Sequence, residues 1–276
     1  MHPDSWDDVR VGGRKIKRKH GIPVGIGLAP ELDTNIALRS IMAAYGASVQ
    51  SIEGEPALKS RQTLDAIKFV KALYEETMTD EVFTWDASSN NRLMLAGRGS
   101  LTVNAISITR TGETQRIPIA DKISLAKAAR GPVQRIGLQH LLDVYVIWKF
   151  ANNIGGAKQF LVDYVGQSRK AFLASKFYNF PCFPATVPDL HALIANDAQA
   201  NPQDKYDLFG DVEAWTTNVG YPGYANAATD EIFTSWIIST MFAEAAAGRM
   251  RPEEALDQGD REVRRIFEQW RGRGLV

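Results

Sequence analysis

The amino-acid sequence predicts an α/β fold arranged in two lobes, and three observations carry that expectation. Short apolar runs closed by glycine or proline, "IPVGIGLAP" (22–30) and "GSLTVNAIS" (99–107), read as buried strands. Segments with apolar residues at helical spacing alternate with them, the pattern of α/β architecture. Proline-rich "YNFPCFPATVP" (178–188) excludes an extended helix and reads as a crossing between lobes.

The elements follow in order. Pro3, then Asp4 or Ser5 as N-cap, with Asp7 and Asp8 in the first turn, opens a helix whose positive end favours those carboxylates. The basic run "GGRKIKRKHG" (12–21) reads as its solvated end, because a phosphate patch would interleave aromatics. After the first strand, a helix over 35–45 turns Ile36, Leu38, Ile41 and Met42 inward. Another over 60–74 does the same with Leu64, Ile67, Phe69, Val70 and Leu73. A further helix begins after Ser88–Ser89 and stops at Gly97, before the strand over 99–107. Residues 114–132 are loop-rich. "LLDVYVIWKF" (141–150), aromatic and β-branched, predicts another buried strand, followed by one or two helices through 175. Residues 227–247 predict one long helix with a stripe of Ile232, Phe233, Trp236, Ile237, Thr240 and Met241, stopped by Gly248. Pro252 opens the last helix, whose inner face is Leu256, Val263, Ile266, Phe267 and Trp270.

Composition narrows the function. With 32 basic and 32 acidic residues the formal charge is +0, so nothing predicts a nucleic-acid or anionic-membrane partner. Cys182 is alone, which removes a disulfide framework, and between Pro181 and Phe183 it reads as a small buried apolar group. The four histidines lie at no metal-ligand spacing. No nucleophile elbow or phosphate loop occurs, and "GIGLAP" lacks the third glycine of a dinucleotide fingerprint. The pairs Glu75–Glu76 and Glu253–Glu254 read as solvated helix faces. Neither a signal peptide nor an apolar run long enough to span a bilayer is evident.

Binding features are better represented. "PELDTN" (30–35) places Asp33, Thr34 and Asn35 before a helix, as caps or ligand contacts. "TWDASSNN" (84–91) repeats the pattern with Trp85 and Asp86. Asn104 and Ser107 end a strand, where α/β proteins present ligand-contacting loops, although Asn104 can equally bond a loop backbone. Tyr221 and Tyr224 flank Pro222–Gly223, which predicts a type II turn with both rings exposed, and Asn226 follows. Flat rings on a rigid loop suit stacking on a sugar face, with Asn and Asp for its hydroxyls; packing against the following helix is the competing reading.

Taken in order, these segments resemble the extracellular solute-binding proteins of ABC importers, in the sugar-binding, maltose-binding-protein-like group. "DSWDDV" (4–9) resembles a helix start that follows the first lobe crossing, and "IMAAYGASV" (41–49) a helix end. "SRQTLDAIKFVKALYEE" (60–76), "NNRLMLAGRGSLTVNAIS" (90–107) and "MFAEAAAGRMRPEEALDQGDREVRRI" (241–266) are similar to later segments in the same order. The resemblance implies a periplasmic binding protein-like type II fold whose two lobes close over a sugar, with the first lobe incomplete. Residues 1–138 and 182–276 would form the second lobe, and 139–181 a remnant of the first. It places the Asn35 loop, the Asn104–Ser107 strand end and the Tyr221–Asn226 loop in ligand-contacting regions. It also implies no catalysis, no cofactor, membrane permease subunits as partners, a monomer in complete form, and a periplasmic or extracellular location. Ser107 and Ser235 stand where the group places stacking tryptophans, which leaves the sugar open. With one cleft wall incomplete, weak binding or none is expected of this chain alone. Two other classes stay open: a glycan-acting enzyme, which needs two carboxylates roughly 5–10 Å apart in one cleft, and a scaffolding fragment that exposes apolar surface.

Overall fold

The computed structural model describes residues 3–138 and 144–276. They form two compact units. Unit 1 contains residues 1–108, 126–140 and 211–276; unit 2 contains 109–125 and 141–210.

In chain order, unit 1 begins with α1 (Trp6–His20), β1 (Val24–Gly25), α2 (Leu32–Ala44), α3 (Arg61–Thr77), α4 (Ser89–Leu95) and β2 (Leu101–Thr102). Helix α5 (Ser107–Thr114) starts in unit 1 and ends in unit 2. After β3 (Gly137–Leu138), unit 2 supplies α6 (Ile154–Gly166), α7 (Ser168–Ala174) and α8 (Leu190–Ala195). The chain then returns to unit 1 with β4 (Thr216–Thr217), α9 (Ala227–Thr234), α10 (Ile237–Ala246) and α11 (Pro252–Arg271). The described residues form two parallel strand pairs: Val24 opposite Leu101 and Gly25 opposite Thr102, and Gly137 opposite Thr216 and Leu138 opposite Thr217.

Local chemistry accounts for the helix starts. Ser5 accepts from the Asp8 N–H while Asp8 accepts from Ser5, a reciprocal capping box. Ser60 caps α3 through the Thr63 N–H, and Pro252 occupies the first turn of α11, where a missing N–H costs nothing. The basic run lies on the exposed last turns of α1, closed by Gly21 in the left-handed region. Glycine 13 has a steric role. A Cβ there would stand 2.6 Å from Val24 Cγ2, so α1 packs on β1 only through a bare backbone.

The core of unit 1 joins α1, α2, α3, α10 and α11, with α10 packed against α2, α3 and α11. Leu38, Ile41, Ile67, Leu73, Phe242, Val263, Ile266 and Phe267 are fully buried there. At the rim, Glu76 accepts from Arg10 and Arg14, tying α3 to α1. The Arg10 hydrogen bond is the main reason that the Glu76 carboxyl lies below its ordinary range.

Several expectations need correction. The helix over 227–247 is broken at Trp236, which takes a left-handed φ of 61° between α9 and α10. The break shifts the inward face, so that Ile238, Met241 and Phe242 are buried and Thr240 is exposed. Within the expected strand over 141–150, residues 141–143 lie outside the described residues. The remainder forms no strand, and Val144, Val146, Trp148 and Phe150 are exposed. Composition favoured a strand, but among the described residues no strand pairs with 144–150. Residues 178–188 lie inside unit 2 rather than at a crossing, and Cys182 is exposed rather than buried. The strands at 22–30 and 99–107 exist but are only two residues long.

The fold makes one direct prediction. Phe242→Ala removes a fully buried ring at the meeting of α10 with α2, α3 and α11, and should cost roughly 3–5 kcal/mol. Urea unfolding reads the loss as a lower midpoint; a change within experimental error would contradict this packing.

Candidate functional site

The carboxyl ends of β1 and β2 feed two polar loops. The first runs from Ile26 into α2. Its N-cap is Glu31, not Asp33, Thr34 or Asn35: the Glu31 carboxylate accepts from the Asp33 N–H at 2.7 Å and the Thr34 N–H at 2.5 Å. Asp33 therefore has its carboxylate free for another partner, and accepts from Asn90 Nδ2 at 2.8 Å. Burial raises the pKa of both Glu31 and Asp33, against the lowering effect of those hydrogen bonds.

The second loop follows β2. Asn104 donates to Asn91 Oδ1 at 2.6 Å, Asn91 donates to Ser107 Oγ at 3.2 Å, and Ser107 donates to Asn104 Oδ1 at 3.1 Å. The three side chains close a ring, which joins the start of α4 to the start of α5. Asn91 N–H also donates to Asn90 Oδ1, so the ring and the Asp33–Asn90 pair share the start of α4. All of these side chains are half-buried except Asn90, which is buried. Asp86 fixes the α4 start by accepting from Ser88, Ser89 and Arg92, and the Arg92 contact leads in holding its carboxyl far below the ordinary range. Trp85 is half-buried against the core, its ring edge over Gly25 of β1.

The tyrosine loop is a separate construction. Gly223 does not take the positive φ of a type II turn, and the Tyr221–Pro222 peptide is cis. Only Tyr224 is exposed as predicted, at 92%; Tyr221 is half-buried beside Ala43 and Ile136, and its hydroxyl bonds Gln134 Oε1 at 3.1 Å. Gln134 in turn donates from Nε2 to the Ala43 carbonyl at the end of α2, 2.8 Å away. Beneath the loop lies Gln50, fully buried. Its Nε2 donates to the carbonyls of Gly220 (2.5 Å) and Tyr224 (2.9 Å), and its Oε1 accepts from Asn226 Nδ2 at 2.8 Å. Gly223 permits that approach, since a Cβ there would come within 2.8 Å of Gln50 Nε2. Asn226 spends its other atom as the N-cap of α9, accepting from the Thr229 N–H.

Of the eight site residues expected from sequence, Asp33, Asn104 and Ser107 join the polar cluster at the strand ends. Tyr221, Tyr224 and Asn226 share the anchored loop, and Trp85 lies on the core. Asn35 is fully buried, donating to the Phe233 carbonyl at 2.8 Å, so it ties α2 to α9 and does not face solvent. Sequence reading missed Gln50, Asn90, Asn91 and Gln134. Asn90 and Asn91 are visible as the "NN" of the predicted α4 start, whereas isolated glutamines give no local signal.

Asp33 sets up a pH test. Its folded-state pKa is raised, so between the unfolded and folded values the folded chain holds the extra proton. Stability from this group therefore falls as pH rises through that window and stays lower above it. Asp33→Asn keeps an oxygen for Asn90 and discards the charge. Its thermal midpoint should exceed that of the parent at about pH 7, with the difference shrinking toward about pH 3; a midpoint below the parent's at neutral pH would contradict this assignment.

No family model matches the chain. Presumptive binding proteins of Brucella abortus and Brucella suis are 22% identical to it over 153 residues, which span 55% of this chain and 37% of theirs. Solved structures match far more of it. A presumptive oligosaccharide periplasmic-binding protein from Synechococcus sp. MITs9220 superposes with a TM-score of 0.76 at 16% identity, over 98% of this chain and 68% of that one. Maltose-bound MalE3 of T. maritima gives 0.74 at 17%, over 96% and 66%. A sugar transporter protein of Arthrobacter chlorophenolicus A6 with bound laminaribiose gives 0.74 at 14%, over 96% and 66%. The chain thus spans about two thirds of these structures and is folded as they are, in the α/β architecture of type II periplasmic binding proteins.

Proposed function

We propose that this chain is the substrate-binding component of an ABC-type importer and takes a carbohydrate or polyol, without catalysis. The observation that carries the reading is Tyr224, an almost fully exposed ring on a backbone held by the buried Gln50. An aromatic face that contributes nothing to the core, on a loop fixed from beneath, is suited to stack on the apolar face of a sugar. The ring of Asn91, Asn104 and Ser107 with the Asp33–Asn90 pair supplies amides, a hydroxyl and a carboxylate of the kind that bind sugar hydroxyls, outside the carboxyl ends of parallel strands. The fold supports the same reading, because solved neighbours carry maltose, laminaribiose, tagatose, ribitol or mannitol. Under this reading unit 1 is the second lobe, the partners are membrane permease subunits, and the location is periplasmic or extracellular. Among the described residues no helix is long and apolar enough to cross a membrane.

A second reading, an interaction module, is favoured by unit 2. Val144, Val146, Trp148 and Phe150 are exposed there, as are Phe160 and Val162 on α6, a helix with no buried residue. Exposed large apolar side chains in this number favour association.

Two measurements separate the readings. The incomplete cleft leaves weak binding or none; the held and exposed Tyr224 ring favours weak binding. Calorimetric titration with maltose, laminaribiose and mannitol should therefore give saturable binding for at least one, and flat titrations with all three would overturn the carbohydrate reading of this chain. Tyr224→Ala should weaken that binding by roughly 3- to 10-fold, with the thermal midpoint unchanged because the ring packs on nothing. Sedimentation should then show a monomer; concentration-dependent association would favour the second reading.

A further inference from the structure

Arg39 is an anomaly in the core of unit 1. It lies in the middle of α2 and is 3% exposed. Its guanidinium sits over the Phe233 ring, 5.5 Å from the centroid, and Nη2 donates to the Val219 carbonyl at 2.6 Å. Among the described residues Nε and Nη1 are buried without a hydrogen-bond partner and no carboxylate offsets the charge; burial pushes its pKa down to about 10. A buried cation with two idle donors and no counter-charge destabilises a fold, and replacing such a group by an apolar side chain of similar volume is commonly neutral or stabilising.

What Arg39 does achieve is the placement of one carbonyl. Val219 lies at the entry of the tyrosine loop, one residue before the Gly220 carbonyl that Gln50 holds. Apart from the Tyr221 hydroxyl bond to Gln134, the loop's own hydrogen bonds are local: Gly220 N–H donates to Asn218 Oδ1 and Tyr221 N–H to the Asn218 carbonyl. They shape the turn without fixing it to the body of the unit. Gln50 fixes its middle and exit, and Arg39 fixes its entry.

We infer that Arg39 is a positioning residue, which holds the entry of the Tyr221–Asn226 loop so that the Tyr224 ring is presented in one orientation. The purpose of that orientation rests on the carbohydrate reading above; the anchoring itself does not. The same geometry predicts opposite signs for stability and loop order. Arg39→Met fills the space and removes the buried charge, so its thermal midpoint should equal or exceed the parent's. At the same time it releases Val219, so hydrogen exchange at the Gly220 and Tyr221 amides should accelerate by roughly 3- to 10-fold. Arg39→Lys keeps a donor within reach of the carbonyl and should restore part of that protection.

The experiment is amide exchange on the ligand-free chain, with thermal unfolding, for the parent and both variants. Faster exchange confined to the loop in Arg39→Met, partly rescued in Arg39→Lys, is the expected result. Unchanged loop exchange in Arg39→Met would overturn the inference, as would a lowered midpoint with exchange rising throughout unit 1 in both variants, the signature of a packing residue. Titration of the parent with maltose, laminaribiose and mannitol keeps the two ideas apart: loop exchange that responds as expected in a chain that binds none of them sinks the carbohydrate reading and leaves the anchoring intact.

Discussion

The burial of α2 is the constraint on which unit 1 depends. Ten of its thirteen residues are buried, packed against α3, α10 and β3, yet the helix carries Thr34, Asn35, Arg39 and Ser40 among them. A helix enclosed in this way has no water to satisfy its polar groups, so other segments must come to it. Asn35 draws in the Phe233 carbonyl, Arg39 the Val219 carbonyl, and the terminal Ala43 and Ala44 carbonyls draw in Val133 and Gln134. Loops that carry the candidate binding groups are thus placed by demands made at the core.

This explains why the two tyrosines of one turn differ. Tyr221 belongs to the chain of contacts that leads back to α2 through Gln134, and its ring fills space beside Ala43 and Ile136. Tyr224 gives its backbone carbonyl to Gln50, and its ring is left in solvent. The first tyrosine helps to make the loop stiff; the second takes advantage of the stiffness. At the strand ends the order is similar. Asp86 and Glu31 are consumed in starting α4 and α2, which leaves Asp33 to Asn90, and Asn91, Asn104 and Ser107 to one another.

Helices were the legible part of the sequence, because their signals are local. Ser60, Pro252, Gly248 and the apolar spacing of α3 and α11 each act within a few residues, and the structure places those elements within a turn of the expected bounds. The misplaced cap of α2 shows the limit: Asp33, Thr34 and Asn35 have the usual capping side chains, but Glu31 stands at the first position with an extended backbone. Trp236 was invisible as a break because the apolar stripe continues through it. The run over 144–150 misled for a related reason, since strand composition promises a strand only where a neighbour exists to pair with. In the site, Tyr224 and Asn104 could be read from their turn and strand-end settings. Gln50, Gln134 and Arg39 could not, for their partners lie 87 to 180 residues away along the chain.

Buried polar side chains, rather than apolar packing, place the tyrosine loop. Gln50→Leu tests this most directly, because it keeps a buried side chain of similar volume and removes the three hydrogen bonds that Gln50 makes to the loop. Nitrogen-15 amide spectra of the parent and the variant should differ from Asn218 through Thr229 and around Gln50, with the remaining core peaks unmoved. Loop resonances that stay in place would show that packing alone positions Tyr224, and would contradict the account.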